Sequence, residues 1–425
     1  MSLTSSFLRV GLALLPLFGM AALEAKAAPS KRQIIDAVPC SQRFSLDSLR
    51  ASALHSSPIV AEIDSTFAGE LARAFDTEVL ANPELAADHT WTSNTVQGAQ
   101  DPQVQVVLLQ PLRLSNFGAR ERVASLIRKT GDNQKGRQLL EFMQKLALQF
   151  YSLSVMQRTH QVLVKAEARA AEKVTLIREG VEKGLLSQGD EKLFEGERYR
   201  LQSQKLGVEV SMRVLQGELS RTAGLACYPT VQDQAKVAPL PAATLLLEKA
   251  RASQFNENTR ADLLLSLAQE QTRLADLDAF PQFSPGIIYQ HTNDGGDFLG
   301  AALTLQLPAW NRNQGGRGQS QGERVAALRK QEFLKNGGFE TQIRILRAAS
   351  ATSLERAEIF SAKAVPAFEV ALGSQEQLYA AGKGSVIQVW QTLRSYNDAQ
   401  VEGLALWLEA MTNRIQLSLL IGEEV

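Results

Sequence analysis

The chain has 425 residues, with aromatics at 6% and 14 prolines in all, a composition that favours long helices over several small mixed domains. Lys plus Arg and Asp plus Glu stand at 45 each, so no net field points to nucleic acid or another polyanion. His55, His89, His160 and His291 are scattered without ligand spacing and Cys40 and Cys227 are the only cysteines, so no metal or other cofactor is expected.

Residues 1–27 read as an export signal: Arg9 supplies the positive end, Val10 to Leu23 is apolar, and Ala25-Lys26-Ala27 offers small residues to a signal peptidase. A membrane anchor would need roughly 20 apolar residues, and Pro16 and Gly19 interrupt this run. Later stretches carry charges every few residues, so a membrane, if met, is met through strands. In an exported chain the two cysteines read as a disulfide rather than a metal site.

Three landmark pairs share one spacing: Pro83 and Pro281, Gly184 and Gly382, Gly224 and Gly422 are each 198 positions apart. Equal offsets over most of the chain predict a tandem repeat, residues 28–225 and 243–425, joined by a linker at 226–242. In each copy a helical segment (Ser45 to Leu80, Thr244 to Leu277) leads into a β-hairpin (about 84–112 and 282–308). A turn (Asn116 to Gly118, Asn313 to Gly316) then opens a long helical hairpin (about 118–225 and 316–422).

In the first helical hairpin Leu139, Phe142, Leu146, Leu153, Met156, Leu163, Ala170, Val174, Ile177 and Val181 recur at three-and-four spacing, a coiled-coil seam. His160 falls on it, where a solvated or hydrogen-bonded histidine is expected. The helix turns at Gly184-Leu185 and is expected to return through Tyr199, Leu206, Val210, Val214 and Leu219; the second copy turns at Gly382-Lys383-Gly384-Ser385. Cys40 precedes the first repeat and Cys227 follows it, and an up-and-back repeat brings the chain back to its starting level, where the two sulfurs can meet.

The clearest strand is Leu303 to Leu307, where Leu alternates with Thr304 and Gln306, ended by Pro308 and the turn formers that follow. In the first copy His89 to Thr92 and Val104 to Gln110 read as strands, with Asp101-Pro102 in the loop between them. Trp91 and Trp310 are amphipathic rings of the kind placed at a membrane boundary. Both β pairs have the 9 to 11 residues that a tilted strand needs to cross a bilayer. Four strands cannot close a barrel alone, so several chains would share one: eight strands from a dimer or twelve from a trimer. The alternative is an exported structural coiled-coil protein with short soluble hairpins. No catalytic constellation or phosphate loop is present, and Gly315-Gly316-Arg317-Gly318 lacks the Lys-Ser/Thr that would cradle a phosphate.

Three motifs carry a resemblance. They are Gln110-Pro111-Leu112 with Gly118 and Arg120; Leu307-Pro308-Ala309-Trp310-Asn311-Arg312-Asn313-Gln314-Gly315; and Val365-Pro366-Ala367 followed by Tyr379 and Gly382. With the order of parts from Ser45 to Gly422 they resemble the TolC-type outer membrane factor family, in particular its cobalt-zinc-cadmium resistance (CzcC-like) branch. The resemblance implies a mainly α chain with a small transmembrane β part, four strands from each of three copies forming a twelve-stranded barrel above a periplasmic α-helical tunnel. It implies a non-enzymatic exit duct in the outer membrane of a Gram-negative cell, working with a periplasmic adaptor and an inner-membrane RND-type pump. Heavy-metal cations are the cargo of that branch; drugs or a secreted polypeptide are the alternatives.

It also implies sites. The adaptor would dock on the tips, Gly184, Leu185, Gly382 and Lys383. A periplasmic gate would pair Asp190, six residues after the first tip glycine, with Tyr379, three before the second. The chain departs from the family pattern at Gly384, where a basic residue is usual, and at Gln388 and Gln391, where a carboxylate ring is usual. A looser closed state follows from these departures.

Overall fold

The computed structural model describes residues 39–93, 100–112, 116–232, 239–292, 296–307 and 313–423. The expected export signal, Trp310 and the Pro308 to Arg312 part of the second motif lie outside the described residues, as does part of the linker.

The first repeat opens with a short strand, β1 (Pro39–Phe44), and two helices, α1 (Leu46–Ser56) and α2 (Pro58–Glu78). The expected continuous helical segment is broken between them because Pro58 cannot donate its backbone nitrogen, while Ser57 extends its chain and caps Ile59. Then come β2 (Glu84–Ser93), β3 (Gln100–Leu109), the 66-residue α3 (Phe117–Glu182) and α4 (Gln188–Ala223). At 1.5 Å per residue α3 is about 100 Å long. A strand β4 (Tyr228–Val231) leads to the second repeat: α5 (Ala243–Ala252), α6 (Glu257–Leu277), β5 (Gln282–His291) and β6 (Asp297–Gln306). Its rising helix comes in three pieces, α7 (Gln314–Phe333), α8 (Phe339–Ile359) and α9 (Val365–Ala380), before the returning α10 (Val386–Ile421).

The three pieces are joined by a kink at Leu334–Gly338 and a single π-helical turn at Phe360–Ala364. The first holds Gly337 at φ 93°, a left-handed conformation that glycine tolerates without steric cost. The second lies just before Pro366, whose ring would clash with the carbonyl four residues earlier in a regular helix; the wider turn relieves that clash.

Most of the predicted seam of α3 is buried: Phe142, Leu146, Leu153, Leu163, Ala170, Val174 and Ile177 all lie in the core. The returning helix departs from expectation. Of the expected positions Leu219 is buried, but Tyr199, Leu206, Val210 and Val214 are exposed, and α4 packs inward through Phe194, Leu201 and Ala223 as well. The stripe from Tyr199 to Val214 is therefore a second apolar face, turned away from α3. The core is a string of clusters along the helices, one at the base of each repeat, one midway around Trp407 and two toward the tips.

Two helix-ending glycines fix the bases. Gly224 (φ 69°) and Gly422 (φ 81°) close α4 and α10, and each lies where the chain breaks between the two leading helices of its repeat. A Cβ at Gly224 would come within 2.1 Å of the Ser56 carbonyl oxygen, and one at Gly422 within 2.5 Å of the Phe255 carbonyl carbon. Ser57 donates to the Thr222 carbonyl and Ser253 to that of Gly422, so each repeat is tied head to tail. Cys40 and Cys227 form a disulfide with Cα atoms 5.1 Å apart, joining β1 to β4, which pair in parallel. This two-stranded sheet comes in addition to the four expected strands.

Candidate functional site

The four-stranded sheet runs β2-β3-β5-β6, every neighbouring pair antiparallel, leaving β2 and β6 as open edges. Contrary to expectation, Asp101-Pro102 lies within β3 and not in a loop. Pro102 is tolerated because β5 ends opposite Val104, so the missing donor falls beyond the stretch paired on both sides. Trp91 stands opposite Pro102 in the same register.

The register sorts the side chains by face. Leu85, Val106, Leu108, Ile287, Tyr289, Leu299, Leu303 and Leu305 share one face, since directly opposed residues in antiparallel strands point the same way. Asp88, Gln105, Gln290, Ser284, Thr304, Gln282 and Gln306 share the other. The apolar face is open, with Leu299 78% and Leu85 70% exposed. Each of the four strands has 10 residues.

At the other end of the long helices the two hairpin tips share one backbone design. Gly184 (φ 71°) and Gly382 (φ 72°) follow α3 and α9 in the left-handed conformation. The next residue, Leu185 or Lys383, donates back to the carbonyl of Gly180 or Leu378, which satisfies carbonyls left over at the helix end. Leu185 is 76% exposed, and Gly382 and Lys383 are exposed as well.

The side chains differ. At the first tip Ser187 caps α4, and its amide and hydroxyl donate to the Asp190 carboxylate at 3.2 and 2.8 Å. Arg178 of α3 bonds Glu191 and Glu195 across the turn, and these bonds raise its pKa, with Glu191 the leading cause. At the second tip Ser385 makes no side-chain cap, and Gln388 stands where the first tip has Asp190. Gln388 and Gln391 are both exposed, one turn apart on α10.

The structure brings the expected gate pair close without bonding it. Tyr379 is half-buried beside the cluster of Val174, Ile177, Phe194 and Val386. Burial first, and the Asp190 charge second, hold its phenol above the usual tyrosine range. No hydrogen bond joins the phenol to the carboxylate, because Asp190 is engaged by Ser187. His160, on the seam, bonds Glu209 of α4 at 3.0 Å, which holds that carboxylate below its usual range. Among the described residues no cluster of three or more metal-ligating side chains forms.

This arrangement is found in solved structures. The outer membrane protein VceC from Vibrio cholerae matches at a TM-score of 0.73 and 16% identity, over 89% of this chain and 96% of that one. The fold is the one these channels share. The Campylobacter jejuni CmeC outer membrane channel matches at 0.73 and 12% identity over 93% of this chain and 90% of that one. The open state of the Neisseria gonorrhoeae MtrE outer membrane channel matches at 0.70 and 14% identity over 89% of each. No protein-family model and no curated protein sequence matches the chain.

Proposed function

We propose that the chain is one protomer of an outer membrane exit duct, which conducts solutes passively from the periplasm and performs no catalytic step. The observation that carries this reading is the sheet: one apolar face left open, an opposite face on which Gln105, Gln282, Gln290, Thr304 and Gln306 stand among Val107, Ile288 and Phe298, and two unpaired edges. Lipid suits the first, a wet lumen the second, and only strands from further copies satisfy the edges, because unpaired backbone groups in hydrocarbon cost several kcal/mol each. Three copies give twelve strands. The exposed stripe Tyr199 to Val214 on α4 then meets a neighbouring copy below the barrel.

On this reading the tips carry a periplasmic adaptor, joined in turn to an inner-membrane RND-type pump, with Leu185 and Lys383 as the exposed contact groups. Leu185→Asp with Lys383→Glu is expected to abolish export in cells and leave conductance of the purified protein unchanged. Unimpaired export would remove the docking assignment. Metal cations are the cargo we propose, on the branch that the sequence motifs resemble; selection then belongs to the pump, and the duct needs only a polar lumen.

Planar-bilayer recording separates the duct from the structural coiled-coil reading. Purified protein is expected to give discrete conductance steps, raised by Asp190→Ala and by Tyr379→Phe, with the double change adding little. A protein that inserts and never conducts contradicts the duct; steps that ignore both substitutions contradict the gate alone.

A further inference from the structure

Between the tips and the bases, α3 and the α8 to α9 segment flank α10 and form an open cleft of about 800 Å³, with Lys165, Arg169, Glu358 and Glu369 exposed along its rims. That is within the range that buries a drug-sized molecule, roughly 300 to 1,000 Å³. Its floor is aromatic: Tyr396 and Trp407, both buried, come from α10. The π-helical turn Phe360–Ala364 forms part of the far wall and approaches α10 so closely that a Cβ on Gly403 would lie 3.3 Å from Phe360 Cβ. Such turns distort the helix surface and recur at functional sites.

The two walls are oppositely charged. From α3, Arg158 lies 5.8 Å over the Trp407 ring and Arg169 5.3 Å over the Tyr396 ring, with Lys165 between them. From α8 and α9, Glu358 and Glu369 face the same space. Among the described residues neither Lys165 nor Arg169 forms an ion pair, and neither carboxylate does. At the floor Asn397 is 3% exposed, and its amide nitrogen finds no hydrogen-bond partner in the protein.

We propose that this cleft binds a compact amphipathic zwitterion: its anionic group on Lys165 and Arg169, its cationic group toward Glu358 and Glu369, and its apolar body between them against the edges of Tyr396 and Trp407. The assignment goes beyond the duct reading and does not depend on it, since it is read from equilibrium binding and not from transport. A lone anion would leave both carboxylates unmatched, and a lone cation would meet three positive side chains. The zwitterion answers both walls.

Titration calorimetry of the purified full chain in a non-ionic maltoside detergent tests this with three probes: benzyldimethylammonium propanesulfonate, benzenesulfonate and benzyltrimethylammonium. The zwitterion is expected to bind more tightly than either single ion. Arg169→Gln, at an exposed site, should weaken it by about tenfold, the loss of one charge-assisted hydrogen bond. Glu369→Lys should shift the preference toward benzenesulfonate. Absence of binding by all three probes, equal affinities, or affinities that ignore Arg169→Gln and Glu369→Lys would overturn the proposal.

Discussion

The two long hairpins end alike and rise differently. Their returning helices, α4 and α10, have 36 residues each and close on left-handed glycines 198 positions apart. Their tips share the same backbone turn. Yet α3 is unbroken over 66 residues, while its counterpart is divided twice, by a kink at Leu334–Gly338 and by a π-helical turn at Phe360–Ala364. The first hairpin is also laced: Arg178 reaches Glu191 and Glu195, Lys205 reaches Glu167, and His160 reaches Glu209. Among the described residues no ion pair joins α9 to α10. One architecture thus holds a braced strut and a jointed one, and the difference lies in side chains and two local breaks in the helix, not in overall length.

The comparison is broken most severely at the points the hairpins have in common. Gly224→Ala is expected to destabilise the protein by roughly 3 kcal/mol or more, since a Cβ would collide with the Ser56 carbonyl and the left-handed backbone adds strain. Gly184→Ala has the same backbone cost of about 1 kcal/mol and meets no neighbour within 4 Å. Denaturant unfolding of the two variants should therefore rank them clearly; equal losses would show that the base contact does not hold the repeat.

A smaller effect sharpens the difference between the tips. Ser187→Ala removes a capping box and is expected to cost about 1 kcal/mol, seen as faster hydrogen exchange in the first turn of α4. Ser385→Ala, at a position with no side-chain cap, should leave the start of α10 unchanged. Similar exchange in both variants would remove the chemical distinction between the tips.

Much of this was legible in the sequence because it is carried by periodicity or by special residues. The Leu303 to Leu307 alternation gave the apolar face of β6, the three-and-four spacing gave most of the α3 seam, and Gly184 and Gly382 marked the reversals. Other features have no periodic signal. The six residues of β1 and four of β4 are too short and too polar to show alternation, and only their cysteines marked them. Pro102 reads as a loop until the length of β5 is known. The stripe Tyr199 to Val214 has helical spacing, but spacing alone does not say which partner an apolar face meets. Asp190 has the right offset for a gate, yet Ser187, three residues earlier, competes for its carboxylate. The cleft is built from α3, α8 to α9 and α10, segments separated by up to some hundreds of positions, so only the fold assembles it.

The account rests on strands and helices from separate copies completing one another, and the most direct measurement is the mass of the intact assembly. Native mass spectrometry of the protein released from mild non-ionic detergent should give three chains, with the disulfide between Cys40 and Cys227 intact in each. A monomer or a dimer as the stable species would leave β2 and β6 without strand partners and would contradict the shared barrel.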